Sequence, residues 1–148
     1  AIGRRPVSED LGLDGTKVKL DERGYIEIDD MMRTGEDWVY AIGDVITTPW
    51  LAHVASKEGI LAVDHLRKND VRPINYRHVP NCTYCSPEVS SVGLTEEKAK
   101  ELGYDVKVGK FPFSAIGKAG ILGKSDGIVK IVADVEYNEL LGMHIVGP

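Results

Sequence analysis

The stretch Trp38-Val39-Tyr40-Ala41-Ile42-Gly43-Asp44-Val45, followed by Pro49-Trp50-Leu51-Ala52-His53, constrains this chain more than any other. The run from Trp38 to Ile42 carries no charge. It predicts a strand near 38–42 covered on both faces, as in a parallel or mixed sheet layered with helices. Thr48 and Pro49 then form a helix entrance, with Thr able to cap and Pro tolerated in the first turn. A strand, a Gly-Asp pair and a helix start in that order set one carboxylate beside the positive end of a helix. That is the arrangement of cofactor sites at the carboxyl ends of strands. Asp44 could instead satisfy backbone N–H groups in a turn, as Asp after Gly often does. The flanking strand and helix favour the cofactor reading: an acceptor-only carboxylate suits sugar hydroxyls, and the N–H groups of Ala52 and His53 favour electron-rich oxygen.

The helix is expected to run about four turns, with Leu51, Ala55, Gly59, Ala62 and Leu66 on one stripe. Arg67 and Lys68 complement the dipole in its last turn. Upstream, residues 1–6 read as a strand tail entering a turn, and residues 17–29 as a hairpin about Asp21-Glu22-Arg23-Gly24. Residues 69–78 are polar, and a domain boundary is expected near residue 72. Beyond it the rhythm changes. Strands are expected over 79–84, 89–94 and 106–113, a short helix opens at Thr95-Glu96-Glu97 and closes at Gly103, and 128–133 pairs with 140–146 as a hairpin. Mostly strands with one helix imply an antiparallel sheet with a helix on one face.

Composition narrows the function classes. A net charge of −5 without a Lys/Arg block argues against general nucleic-acid binding. No apolar run approaches the roughly 18 residues of a membrane span. Cys82 and Cys85 are too few for a disulfide scaffold, which favours an intracellular, cytoplasmic location. As a Cys-x-x-Cys pair they lack further ligands at zinc-site spacing and a helix opening to activate a thiol. Small packing residues are the expectation. His53 has no nucleophile or orienting acid near it in sequence, so general-base chemistry is not assigned to it. Lys118 and Lys124 lie among glycines without P-loop order, which predicts a flexible loop.

Several ordered motifs resemble the dihydrolipoyl dehydrogenase family of pyridine nucleotide-disulfide oxidoreductases. Ala1-Ile2-Gly3-Arg4-Arg5-Pro6 resembles the exit from the family's NAD domain, and Tyr40-Ala41-Ile42-Gly43-Asp44-Val45 its second FAD motif. Leu51-Ala52-His53, Ala55 and Glu58-Gly59 are similar to the pattern that separates this subfamily from glutathione reductases. Tyr84 to Val89, Ser91-Val92-Gly93, Gly109 to Phe113 and Gly142 to Pro148 resemble the interface domain. Cys85 stands where Thr is commoner, Lys118 where Arg is commoner, and Trp50 where Met is common.

The resemblance implies an α/β plus α+β fold. Part of an FAD-binding doubly wound domain is followed by an antiparallel-sheet interface (dimerisation) domain. Residues 1–6 would end the NAD domain, 7–71 belong to the FAD domain, and 72–148 form the interface domain. Gly43, Asp44, Trp50, Leu51, Ala52 and His53 would bind FAD, and Gly3 would touch NAD. The parent would oxidise protein-bound dihydrolipoamide, passing electrons through a disulfide and FAD to NAD. It would form a homodimer through 72–148 and meet the lipoyl and subunit-binding domains of a 2-oxo-acid dehydrogenase complex, in the mitochondrial matrix if eukaryotic. The family's Gly-x-Gly-x-x-Gly motif and Cys-x-x-x-x-Cys pair do not occur in this sequence, and both chain ends read as cuts. No catalytic residue and no metal are therefore expected in the chain, which alone should be inactive. A non-catalytic dimerisation module and a piece of a glutathione- or mercuric-type reductase are the alternatives.

Overall fold

The computed structural model describes residues 2–148, which divide into two compact units, 2–74 and 75–148. The expected strand tail at 1–6 begins at Ala1, outside the described residues, and residues 2–6 form no strand.

In the first unit the expected hairpin at 17–29 is reduced to a single antiparallel bridge between Leu20 and Ile26. Asp21 organises the turn: its carboxylate accepts the N–H groups of Arg23 and Tyr25, both at 2.8 Å. Pro6 and Ser8 pack beside it, and the Ser8 hydroxyl donates to the Gly24 carbonyl at 2.6 Å. A second turn is built on Asp29, which accepts from Met31 and Arg33. Burial opposes ionisation of Asp29, but hydrogen bonds from Arg33 and Met31 outweigh it and hold the carboxyl below its usual range.

The expected strand near 38–42 does not form. Only Tyr40 is bridged, to Arg33, and the covered-on-both-faces reading fails because Trp38 is 76 % exposed. Apolar residues become a strand only where a neighbouring backbone completes the ladder, and none does so here. Ala41 alone of this run is buried. A 3₁₀ turn follows at Gly43–Val45, then helix α1 at Ala52–Leu66.

The helix length agrees with the sequence, but its face is turned. Val54, Glu58, Leu61 and Ala62 are buried, whereas Leu66 is exposed. Leu51 is the N-cap, without a side-chain cap bond, so Thr48 does not cap. At the other end Lys68 takes the left-handed conformation (φ 60°), donating to His65, while Asn69 donates to the Asp64 carbonyl. This closes the last turn without glycine. The core gathers Ile26, Met32, Ala41, Ile46, Leu61 and Ala62.

The second unit is a five-stranded antiparallel sheet. Its strands are β1 (Asn81–Thr83), β2 (Glu88–Gly93), β3 (Val106–Pro112), β4 (Ile128–Asp134) and β5 (Leu140–Gly147), in the order β1-β2-β5-β4-β3. The expected 128–146 hairpin is its centre. Helix α2 (Glu96–Glu101) opens on the Thr95 hydroxyl, which accepts the Lys98 N–H at 3.1 Å. Glu96 reaches Lys130 of β4 at 2.8 Å, so α2 lies on the face that carries Lys130 and Val132. An extra residue in β5 turns Leu141 into the core under α2, with Ala99 and Val132. Gly142 permits the close approach of Leu94, whose backbone occupies the place a Cβ would need.

Two smaller expectations are corrected. Residues 117–121 form the one-turn helix α3 (Gly117–Ile121) rather than a flexible loop, closed by the Leu122 N–H on the Lys118 carbonyl. Cys82 and Cys85 are exposed, not packing residues, because one lies on the edge strand β1 and the other in the turn beyond it. Among the described residues no His/Cys/Asp/Glu group could hold a metal, and no helix is long and apolar enough to cross a membrane.

Candidate functional site

The site lies where the chain leaves the apolar run and enters α1. Ile42 and Ile46 are extended on either side of the 3₁₀ turn, which the Ile46 N–H closes on the Gly43 carbonyl at 3.1 Å. Gly43 is buried at φ +72°, a conformation in which side chains are rare, and an added Cβ would lie 3.3 Å from Ala55. Glycine is thus required both by backbone conformation and by the closeness of α1. One residue on, Asp44 projects outward with its side chain 63 % exposed. Its carboxylate accepts from Arg4 at 3.2 Å, an exposed pair of small energetic weight.

Trp50 and Leu51 lead into the helix. The Trp50 indole N–H donates to the Ile46 carbonyl at 3.1 Å, and its ring stacks on buried Tyr25 with centroids 5.6 Å apart. The indole is therefore fixed at both its polar edge and one face, while 37 % of the residue stays exposed. The Leu51 carbonyl takes the N–H groups of Val54 and Ala55, which sets Ala52 and His53 in the first turn, at the positive end of a 15-residue helix. The structure thus brings Gly43 and Asp44 to one end of the apolar run and Trp50 to His53 to the start of α1. Gly3 stands apart in an exposed segment at φ +111°, tied to this group only through its neighbour Arg4.

Three participants were missed from sequence. Arg4 and Glu58 enter the sequence analysis only within motifs. Thr48, expected as a cap, has its hydroxyl buried without a protein partner. Glu58 is fully buried and accepts the Gly43 N–H at 2.8 Å. Its sequence signal was an acid four residues after Val54, on the stripe that faces the core, between the small residues Ala55 and Gly59.

Chemically the group offers an outward carboxylate acceptor, helix-terminal N–H donors, an orphaned hydroxyl and an anchored aromatic surface. Such a set can meet a ligand that combines hydroxyls, electron-rich oxygen atoms and an apolar ring.

Comparison with known proteins identifies the family. The pyridine nucleotide-disulphide oxidoreductase family matches residues 1–59, and the dimerisation domain of the same family matches residues 79–148. The chain is 51 % identical to the dihydrolipoyl dehydrogenase of Bacillus subtilis over 148 residues, and 52 % identical to that of Corynebacterium glutamicum over 150. It spans about a third of the length of each, 31 % and 32 %. Among solved structures it superposes on LpdA from Mycobacterium tuberculosis with a TM-score of 0.93 at 27 % identity, covering all of this chain and 32 % of that one. The HOCl-induced flavoprotein disulfide reductase RclA from Escherichia coli gives 0.90 at 28 % identity, covering 99 % and 34 %. With both of its units matched, the chain belongs to the pyridine nucleotide-disulphide oxidoreductase family.

Proposed function

We propose that this chain is the segment of a dihydrolipoyl dehydrogenase that supplies one side of the FAD site and the dimer-forming sheet. The observation that carries the reading is the Gly43–Asp44 turn, presenting an exposed carboxylate just ahead of the α1 N-terminus in a chain half identical to that enzyme along its length. Asp44 would hold FAD hydroxyls, and the first turn of α1 at Leu51, Ala52 and His53 would receive the electron-rich edge of the ring, with Trp50 packed beside it. Gly3 would meet NAD. Bound FAD would supply a two-electron relay between a disulfide and the nicotinamide. The residues of this chain bind and orient; they move no proton.

The second unit would dimerise about a two-fold axis. On the face turned away from α2, register sets Ile131, Met143 and Val92 in one row and Phe111, Val129 and Ile145 in another. Phe111 is 53 % exposed there and Ile131 36 %, an apolar surface that a second copy would cover. The parent enzyme would act on protein-bound dihydrolipoamide carried by lipoyl domains of a 2-oxo-acid dehydrogenase complex, and would dock its subunit-binding domain.

The test uses the isolated chain and the full-length enzyme together. The chain should elute as a colourless dimer on size exclusion and show no dihydrolipoamide-dependent NAD reduction, because a partial site buries too little of the ligand to offset its ordering. Turnover by the chain would overturn the reading. In the full-length protein, Asp44→Ala should lower flavin content while leaving the dimer intact.

A further inference from the structure

We propose that Glu58 is the positioning residue of this site: its carboxylate holds the Gly43 amide and so fixes the direction in which Asp44 meets a bound dinucleotide. The inference rests on the FAD reading above. Glutamate is almost never fully buried unless its charge is hydrogen-bonded, and Glu58 is 0 % exposed in the middle of α1. One bond it makes, at 2.8 Å, goes to the backbone of the residue immediately before Asp44.

The surrounding residues are shaped for that reach. Ala55 and Gly59 flank Glu58 on the same side of the helix. A Cβ on Gly43 would come within 3.3 Å of Ala55, and one on Gly59 within 3.3 Å of Ile42. Small side chains thus draw the turn against α1 until the carboxylate can span the gap. Asp44 itself is exposed, and its ion pair with Arg4 is a weak restraint. The strong restraint on its direction is the buried bond one residue earlier. Position 58 therefore acts on the ligand through the backbone, without touching it.

The test compares Glu58→Gln, which keeps size and an acceptor, with Glu58→Leu, which keeps size and loses the acceptor, and with Asp44→Asn. FAD affinity is read by flavin fluorescence in the full-length dehydrogenase proposed above. Leaving the buried Gly43 N–H without a partner should weaken FAD binding about 30-fold in Glu58→Leu, and the acceptor retained in Glu58→Gln should keep it within about threefold. Exchange of the Gly43 amide, followed by NMR in this chain without FAD, should be slow in the wild type and in Glu58→Gln and fast in Glu58→Leu. A role confined to helix packing would instead weaken both variants alike and leave the Gly43 amide unaffected. If Asp44→Asn leaves FAD affinity unchanged, the FAD reading itself fails. If Asp44→Asn weakens binding and folded Glu58→Leu does not, the positioning role is overturned. Rapid exchange of Gly43 in the wild-type chain overturns it without any variant.

Discussion

Residues 75–148 close five strands through continuous antiparallel ladders, whereas the described part of residues 2–74 holds one long helix and two isolated β-bridges. In the sheet unit backbone groups satisfy each other, strand against strand. In the first unit much of that work passes to side chains: Asp21 and Asp29 each take two backbone N–H groups, Glu36 takes that of Lys17, and Glu58 that of Gly43. A ladder tolerates changes in individual side chains, because the backbone makes the bonds. A turn tied by one carboxylate does not. The unit that carries the candidate site is thus the one whose backbone depends most on single residues.

The largest test of this contrast is core truncation in each unit. Ile46→Ala, at a fully buried position, should cost about 3 kcal/mol, and Val132→Ala about 2 kcal/mol. Both tryptophans, Trp38 and Trp50, lie in the first unit, so their fluorescence reports on it selectively. Ile46→Ala should shift the fluorescence melt and spare the β-sheet dichroism; Val132→Ala should do the reverse. A common shift of both signals in either variant would break the comparison.

A smaller, opposite effect is expected at Trp38, a non-glycine residue at φ 65° that is 76 % exposed. Trp38→Gly should stabilise the first unit by about 1 kcal/mol by relieving the left-handed conformation, with little packing lost. The Trp50 fluorescence melt would show it.

The smallest effect belongs to the sheet unit and concerns pH. Hydrogen bonds and charge from Lys100 and Lys130 lower the Glu96 carboxyl from 4.5 to about 2. A depressed carboxyl contributes stability that is fully present above pH 4.5 and is lost as pH falls through about 2. The difference in melting temperature between wild type and Glu96→Gln should therefore be constant above pH 5 and shrink toward pH 2. A difference that persists at pH 2 would remove the ion pairs from the account of how α2 is held to β4.

The sequence by itself determined what depends on neighbours along the chain. The Asp21 turn, the Thr95 cap, the 15-residue extent of α1 and the strands of the second unit are visible as local patterns, because turn chemistry, capping and alternation act over a few residues. The candidate site at Gly43, Asp44 and Trp50 to His53 stands out for the same reason, as a motif in order. Tertiary structure decided what depends on partners far away. It left the run 38–42 without a ladder, rotated α1 so that Glu58 rather than Leu66 faces inward, and exposed Cys82 and Cys85 at a sheet edge. Burial and hydrogen-bond pairing are properties of what comes to lie opposite a residue, and hydrophobic periodicity does not name that opposite group. Glu58 shows the difference: in sequence it is part of a motif without a role, and in the fold its carboxylate holds Gly43.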